Sequence, residues 1–406
     1  MCRRATVCAH MTLPARFRHP QFQSTTGSCA VFISLSLLLS VSSQSNVAFK
    51  KTLPDAARAN GAVSLDGSSY IYYVSPGAEK NKFVIYQKGG GWCFSDENCL
   101  QRASTELGSS TLPLFTPTVD YTKFEETARF MLLHSNETLN PQAWNWTRIF
   151  LPYLDGGSQI GDVAEPVAVG GKRIFYRGAR IHRWTLVTLL SDEGLANATD
   201  VILSGGSAGG LATYLHADSW RDAILRFSPK LRFVAVPDSG FFLNYHLSNG
   251  TASEFVDQMR WVFTAMNSTG AVPPECLAAN AQDPAKCIFA EEVSKTVRAP
   301  VFAQQSTYDS FQISFILKNN SAAAINAYGA IVESRVRADL LAPHADSAVF
   351  LDSCEHHVGE WGEIAIDGQT VAQALQTFYD SIGKQGRRLW AQGRPYPCAA
   401  CCKHGQ

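Results

Sequence analysis

Residues 201–218 read VILSGGSAGGLATYLHAD and are the strongest indication of the fold. It opens with apolar, partly β-branched residues, turns through small residues and continues with residues that favour a helix. In the turn, Gly205, Ser207 and Gly209 form the pattern G-x-S-x-G, which is typical of a nucleophile elbow between a strand and a helix. Such a turn strains the backbone of its serine, so bulky neighbours would clash. The stretch therefore predicts a nucleophilic Ser207; the alternative is a glycine-rich turn with an incidental serine.

The chain on both sides of this stretch alternates predicted strands with predicted helices. Further strands are predicted at residues 82–86, 147–153, 231–237, 299–304 and 348–352, of which the last is predicted to be the final strand. Helices are predicted at 120–133, 179–190 and 371–382, with a helical insertion at 253–297, a helix from Asp309 through Ile331 and an opening hairpin within 53–76. This alternation is typical of right-handed βαβ units. It predicts an α/β fold of the α/β-hydrolase type, a single large domain whose mostly parallel sheet has helices on both faces.

Composition and charge indicate a globular protein. Of the 406 residues, 46% are apolar and 17% are charged, and 35 basic residues balance 35 acidic ones. No block of like charges points to nucleic acid or to an anionic membrane as a partner. We therefore expect a globular protein with a sizeable core and no nucleic-acid binding.

The N-terminal segment is predicted to direct secretion. Residues 30–41, AVFISLSLLLSV, form an apolar run with the length of a signal peptide, too short for a spanning helix. Positive charge precedes this run, and small residues follow it. Residues 1–43 are predicted to be the signal peptide, with Met11 as a possible start, and residues 44–406 the domain. We expect an extracellular or cell-wall protein with no stable membrane association; a membrane-anchored form is the weaker alternative.

The cysteines agree with export. Of 11 cysteines, eight follow the predicted signal: Cys93, Cys99, Cys276, Cys287, Cys354, Cys398, Cys401 and Cys402. An even number in an exported chain fits disulfides, and short loops favour Cys93–Cys99 and Cys276–Cys287, although sequence alone does not fix the connectivity. A zinc site in the tail is a weak alternative, because the ligand spacing and a partner pair are missing, and no metal or cofactor is predicted. Several N-x-[ST] sequons agree with a secreted glycoprotein.

The predicted strand at 82–86 runs into three glycines, residues 89–91, followed by Trp92 and Cys93. Successive glycines are costly in conformational entropy, so they indicate a place where the backbone approaches another group closely. The α/β-hydrolases place half of the oxyanion hole after such a strand, upstream of the elbow. We expect this turn and the N–H of Ala208 to supply the oxyanion donors; a plain flexible loop is the alternative.

A nucleophilic serine needs an acid and a base, which follow it in the order acid, then histidine, in α/β-hydrolases. Asp238 and Asp309 each follow a predicted strand, and Asp309 is favoured because it follows the penultimate one. Asp238 remains the second candidate for the acid; alternatively, it only caps a turn. The base is expected after the last strand, where His356 and His357 stand side by side, and spacing alone does not choose between them.

With these residues placed, the chain resembles the pectin acetylesterase family, which also includes the animal Notum carboxylesterases. The matching blocks run in family order from about residue 53 to 402: GGGWC, ELGSS, WNWTRIFLPYLDGGSQIGD, YRGARI, ILSGGSAGGLATYLHAD, PDSGFF, TYDSFQI, LDSC and PYPC. The resemblance implies a catalytic triad of Ser207, Asp309 and His357, the histidine that stands three residues beyond Cys354. It implies oxyanion donors at Gly90, Gly91 and Ala208 and requires no cofactor.

The blocks GGGWC and PYPC are shared with plant-type relatives, so the pectin side of the family is closer than the Notum side. The implied protein is a secreted, monomeric serine carboxylesterase that removes acetyl groups from pectin (homogalacturonan) through an acyl-enzyme. One alternative is a Notum-like enzyme that removes a lipid acyl group from a protein. The other belongs to a different class, an inactive secreted carbohydrate-binding protein.

The chain departs from the family pattern at four positions near the expected site. Lys88 stands where relatives usually have Glu, and Leu154, Gly206 and Val358 stand at positions that are often cysteine in plant-type members. These departures leave the triad intact. They leave Cys354 to pair elsewhere, with the cysteine-rich tail as the expected place.

Overall fold

The structure is a computed structural model that describes residues 45–121, 131–247 and 250–402. The predicted signal peptide, the greater part of the predicted helix at 120–133 and the sequon asparagine Asn249 lie outside these residues. None of the helices in the described ranges is both long and apolar enough to cross a membrane.

The strands alternate with helices along the chain. The strands are β1 (Val47–Thr52), β2 (Ile71–Ser75), β3 (Glu79–Gln87), β4 (Thr118–Asp120), β5 (Trp146–Leu151), β6 (Val167–Val169), β7 (Lys172–Ile174), β8 (Asp200–Gly206), β9 (Arg232–Asp238), β10 (Phe302–Ser306), β11 (Ala348–Asp352), β12 (Ala365–Ile366), β13 (Gln369–Thr370) and β14 (Leu389–Ala391). The helices are α1 (Asp55–Ala59), α2 (Asp96–Arg102), α3 (Gly178–Asp192), α4 (Ala208–Leu225), α5 (Glu254–Ala265), α6 (Pro274–Ala279), α7 (Ala290–Val293), α8 (Ala322–Arg335) and α9 (Val371–Ser381).

One large sheet carries the fold. Within the described residues it has ten strands in the order β14-β11-β10-β9-β8-β3-β5-β2-β1-β4. The strands from β14 to β5 pair in parallel, whereas β2, β1 and β4 continue the sheet with antiparallel pairs. Helix α4 packs against β8 and β9, and α9 packs against β10 and β11. The predicted α/β-hydrolase-like class with a mostly parallel sheet is confirmed.

The central strands are buried because they are continuously apolar. Residues Val201, Ile202 and Leu203 of β8 are fully buried, as are Val84 and Ile85 of β3. A strand covered on both faces shows such an unbroken apolar run instead of alternation. The carboxyl ends of these parallel strands meet at one edge of the sheet, which is where open α/β sheets bind ligands. The fold therefore brings together the loops that follow β3, β8, β9, β10 and β11.

Three local predictions are wrong. The strand predicted as the last, β11, is followed by β14, which pairs with it in parallel; the run of β14 is too short to stand out in the sequence. The predicted hairpin within 53–76 is replaced by α1, a single bridge between Val63 and Ser69, and β2, which pairs with β1 and β5. The helix predicted through Ile331 is interrupted, because Lys318 adopts a left-handed conformation (φ 52°) after a π-helical segment and Ser321 caps a new helix, α8.

Candidate active site

Ser207 occupies a sharp turn between β8 and α4. Its φ is 56° and its ψ is −123°, a strained combination for a residue other than glycine. The flanking glycines are required by close backbone contacts. A Cβ on Gly205 would lie 2.4 Å from the carbonyl oxygen of Gly209, and one on Gly209 would lie 2.0 Å from that of Gln87. The small residues of the motif therefore permit the turn that raises Ser207 above the sheet.

His357 lies between Ser207 and Asp309. Its Nε2 is 2.9 Å from Ser207 Oγ, and its Nδ1 is 2.8 Å from Asp309 Oδ2. Since an ionised carboxylate only accepts hydrogen bonds, Nδ1 carries the proton and Nε2 is left to accept the serine proton. Asp309 is buried, and its other oxygen accepts the N–H of Gln312. These three side chains have the hydrogen-bond geometry of a nucleophile, a general base and a carboxylate that orients the base.

The loops that carry the acid and the base are joined to each other. The N–H of Ser310, next to the acid, donates to the carbonyl oxygen of His356, next to the base, at 3.1 Å. The N–H of Thr307 donates to the carbonyl oxygen of Asp352 at 2.9 Å. The separation of Asp309 and His357 is therefore set by backbone contacts as well as by their own hydrogen bond.

The two rival residues from the sequence lie elsewhere. His356 points away from Ser207, and its Nε2 is 3.1 Å from the buried carboxylate of Asp352. Burial lowers the pKa of His356, but the charge of Asp352 and its hydrogen bond outweigh burial and raise that pKa to about 9. Asp238 does not contact His357; burial raises its pKa to about 6, although hydrogen bonds from Trp361 and the Gly359 N–H oppose this. The structure thus brings His357 and Asp309 together with Ser207, whereas His356 and Asp238 contact other groups.

The glycine turn after β3 lies directly against the elbow. A Cβ on Gly89 would lie 2.2 Å from the Gly206 carbonyl oxygen and 2.9 Å from Ser207 Cβ, so only glycine fits there. None of the described residues accepts a hydrogen bond from the N–H of Gly90, Gly91 or Ala208. The carbonyl oxygen of Gly90 is turned away and accepts from Arg102 at 2.7 Å. The turn is therefore placed to offer N–H groups beside the serine.

A pocket of about 350 Å³ lies over Ser207. Besides the glycine turn and His357, it is lined by Lys88, Glu106, Leu107 and Phe311. The elbow and the histidine loop also meet here: a Cβ on Gly206 would lie 2.7 Å from Val358 Cγ1 and 2.8 Å from the hydroxyl of Tyr86. The lining of the pocket thus combines one basic and one acidic side chain with apolar surface.

Aromatic rings pack beside His357, a feature that sequence reasoning missed. Phe311 stacks on His357 with ring centroids 5.3 Å apart, and Trp92 meets Phe242 edge-on at 5.1 Å. Phe315 packs against Phe311 in a tilted arrangement, with ring centroids 4.7 Å apart, and is 55% exposed. The only sequence signal was Trp92 directly after the glycines, since the other rings come from distant segments. An aromatic surface therefore continues from the base to solvent.

Disulfides fasten the loops around the site. The structure contains Cys93–Cys99, next to the glycine turn, and Cys276–Cys287 in the helical insertion. Cys354, three residues before His357, pairs with Cys402 of the tail, and Cys398 pairs with Cys401. Across the described ranges, no group of His, Cys, Asp and Glu side chains is arranged to hold a metal ion.

Known proteins resemble this chain over most of its length. The pectinacetylesterase family model matches residues 42–403. Pectin acetylesterase 5 of Arabidopsis thaliana is 30% identical over 386 residues, which cover 87% of this chain and 84% of that protein. Palmitoleoyl-protein carboxylesterase NOTUM of Mus musculus is 25% identical, over 78% of this chain and 63% of that protein.

A solved structure shares the fold. The Wnt deacylase Notum from Drosophila superposes with a TM-score of 0.75 at 23% identity, over 87% of this chain and 99% of that one. At this identity the likeness concerns the fold alone, whereas the family match extends over almost all of the chain. The chain belongs to the pectinacetylesterase family and is a carboxylic ester hydrolase with an α/β-hydrolase-like fold.

Proposed function

We propose that this protein is a secreted serine carboxylesterase that removes acetyl groups from pectin. The observation that carries the proposal is the position of His357, whose two ring nitrogens meet Ser207 Oγ at 2.9 Å and Asp309 Oδ2 at 2.8 Å. Ser207 is the nucleophile, His357 the general base and acid, and Asp309 the group that orients the imidazole. The similarity to the pectin acetylesterases of Arabidopsis supports the substrate class.

The geometry supports hydrolysis in two steps. Ser207 Oγ attacks the acetyl carbonyl carbon while its proton passes to His357 Nε2, and Asp309 stabilises the imidazolium. The oxyanion accepts hydrogen bonds from the N–H groups of Gly90, Gly91 and Ala208. The intermediate collapses, and the sugar oxygen leaves with the proton from Nε2. Water, deprotonated by the same nitrogen, then attacks the acetyl-enzyme, and acetate leaves as Ser207 recovers its proton.

The surroundings of Ser207 support a small acyl group on a sugar. Rings of Trp92, Phe242 and Phe311 fill the space beside His357, and the pocket of about 350 Å³ has the charged side chains of Lys88 and Glu106 in its lining. The exposed ring of Phe315 offers a flat apolar face of the kind on which the C–H face of a pyranose ring stacks. These features suit a polysaccharide chain that lies across the pocket and presents an acetyl ester to the serine.

The triad is tested by acetate release from acetylated pectin and by hydrolysis of p-nitrophenyl acetate. Ser207→Ala and His357→Ala should each lower kcat by about a million-fold, as when a serine or histidine of such a triad is removed. His356→Ala is the matched control, since it changes the neighbouring ring, and it should keep most of its turnover. Turnover that survives in Ser207→Ala, or that is lost only in His356→Ala, would contradict the proposal. An inactive carbohydrate-binding protein would release no acetate in any form.

The sugar surface is tested separately with Phe315→Ala. If the sugar contact is worth as much as an aromatic pair, the KM for acetylated pectin should rise by about two- to tenfold. The KM for p-nitrophenyl acetate should not change, because Phe315 is not among the residues that line the pocket over Ser207. The control is Phe227→Ala, which removes a ring that is 61% exposed and outside the pocket. Equal effects on both substrates would exclude a polysaccharide contact at Phe315.

A second candidate is removal of a lipid acyl group from a protein. The observation that favours it is the similarity to palmitoleoyl-protein carboxylesterases, at 25% identity for the mouse protein. A series of p-nitrophenyl esters from acetate to palmitate, assayed beside a palmitoleoylated peptide, separates the two. Preference for the long chains and no release from pectin would establish this second function instead.

We also propose that residues 1–43 are removed on secretion and that residues 44–406 form the mature enzyme. Amino-terminal sequencing of the protein secreted by a eukaryotic host tests this directly. A start near residue 44 is expected, and retention of the whole segment in a cell-bound protein would contradict it.

A further inference from the structure

Asp238, the acid that the sequence left as a rival to Asp309, lies at the end of β9 and is fully buried. Its carbonyl oxygen accepts the N–H of Ser207 at 2.9 Å. The backbone of Asp238 therefore holds the elbow from below, although its side chain takes no part in the contacts among Ser207, His357 and Asp309.

The side chain of Asp238 instead holds the loop that follows the base. Its Oδ2 accepts the N–H of Gly359 at 3.0 Å and the indole N–H of Trp361 at 2.9 Å. Ser239 adds a further contact to this loop. Its hydroxyl donates to Asp238 Oδ1 at 3.2 Å and accepts the N–H of Val358 at 2.9 Å. The segment just beyond His357 is thus bound at successive N–H groups by the end of β9.

The backbone of this loop needs such support. Val358, Gly359 and Glu360 have φ values of 64°, 91° and 61°, so three consecutive residues are in the left-handed region. That region is unfavourable for any residue with a side chain, and most of all for β-branched valine. Conformations of this kind persist only where the surrounding contacts over-determine them. Without the acceptors at Asp238 and Ser239, the loop would relax and carry the adjacent His357 with it.

We propose that Asp238 is a positioning residue for ester hydrolysis. Its backbone holds the turn that carries Ser207, and its carboxylate holds the loop that carries His357. Asp238 thereby fixes the nucleophile and the base relative to each other. It touches neither the substrate nor the reacting atoms. Its effect is on the distance between His357 Nε2 and Ser207 Oγ, and thereby on the rate of proton transfer. The inference rests on the proposed roles of Ser207 and His357.

The test compares Asp238→Ala and Asp238→Asn with a buried aspartate remote from the site. Asp238→Ala should lower kcat about 100-fold with little change in KM, since a displacement of about 1 Å in a catalytic group has that effect. Asp238→Asn keeps an oxygen that accepts from Gly359 and Trp361, so it should recover most of the rate. The control is Asp218→Ala, in which a buried carboxylate that accepts the N–H groups of Arg298 and Ala299 is lost. It should lower the unfolding temperature but leave kcat near that of the wild type.

All rates are measured well below the unfolding temperature of each variant, together with the rate at which an organophosphorus fluoride labels Ser207. A purely structural role predicts normal labelling and normal kcat in folded Asp238→Ala, and that result overturns the proposal. If Asp238→Ala does not fold, Trp361→Phe removes one of the donors that the carboxylate binds. It should lower kcat about tenfold, or about 1.4 kcal/mol in the barrier, and unchanged kcat there overturns the proposal equally. Turnover in Ser207→Ala would instead remove the proposed function, and this inference with it.

Discussion

His356 and His357 are neighbours in the chain, yet their rings meet different carboxylates. His357 lies 2.8 Å from Asp309 and 2.9 Å from Ser207, whereas His356 is buried against Asp352. The pKa of His356, raised to about 9, keeps its imidazole charged at neutral pH. An imidazole that is already protonated cannot accept a proton from serine, so at neutral pH the two rings are suited to different tasks: one to proton transfer and the other to an internal ion pair.

The ion pair predicts how stability depends on pH. A histidine whose pKa is raised from 6.5 to about 9 on folding stabilises the protein fully below pH 6.5 and loses this contribution as pH rises to about 9. The free energy of unfolding should fall by on the order of 3 kcal/mol across that window. Chemical denaturation between pH 6 and 9.5 measures it, and His356→Gln and Asp352→Asn should both flatten the slope. An equal slope in the variants would mean that the pair does not titrate as described.

At the scale of secondary-structure elements, the site depends on the contact between the turn after β3 and the elbow after β8. These strands are neighbours in the sheet, with Gln87 opposite Gly205, so the turns that follow them must share one small space. At Gly89 the two turns approach closely, because a Cβ there would lie 2.2 Å from the Gly206 carbonyl oxygen. Strand register, and not side-chain contacts, therefore places the proposed oxyanion donors next to Ser207.

Gly89→Ala should consequently damage catalysis more than folding. The added methyl group pushes the turn away from Ser207, and loss of an oxyanion donor costs about 100- to 1000-fold in kcat. The matched control is Gly270→Ala, where a Cβ would meet no atom within 4 Å and φ is ordinary. Steady-state kinetics with p-nitrophenyl acetate gives both values. If Gly89→Ala turned over at the rate of Gly270→Ala, the turn would not form the oxyanion hole.

At the scale of the whole molecule, the C-terminal tail is attached to the sheet edge at which Ser207 and His357 lie. Cys402 is bonded to Cys354, 48 residues earlier, and β14 lies in the sheet next to β11, which leads to the histidine loop. The short Cys398–Cys401 disulfide closes a loop only within the tail itself. The last strand and the tail therefore support the same segment of chain that carries His356 and His357.

The two tail disulfides should differ in their effect on stability. Because a longer closed loop constrains the unfolded chain more, removing Cys354–Cys402 as a double serine variant should cost about 4 kcal/mol. Removing Cys398–Cys401 in the same way should cost about 2 kcal/mol or less. Equilibrium unfolding of both variants under non-reducing conditions provides the comparison. A larger loss for the short loop would indicate that local packing, and not chain connectivity, decides the contribution.

Sequence patterns were sufficient for the buried parallel strands, because continuous apolar runs mark them, and β11 begins and ends where it was predicted. They were insufficient at the edges of the sheet. In β1, apolar and polar residues alternate poorly and half of the residues are exposed, and β14 has only three residues. In the site, residue order narrowed the acid and the base to two candidates each. Residue order alone did not choose between His356 and His357. The family resemblance pointed to His357 through its distance from Cys354, and the structure places the ring of His357, and not that of His356, beside Ser207.

The contact between Gly206 and Val358 limits how this site can change over time. A Cβ at position 206 would meet the valine methyl group at 2.7 Å, so a larger residue is tolerated at either position only when the other is small or bonded to it. Cysteines at both positions would join the two loops by a covalent link, whereas this chain relies on a glycine without a side chain. Exchange between the two arrangements needs two substitutions, and the intermediate with a side chain at position 206 beside Val358 is strained. We therefore expect positions 206 and 358 to vary as a pair among relatives, so that each lineage retains the arrangement it acquired.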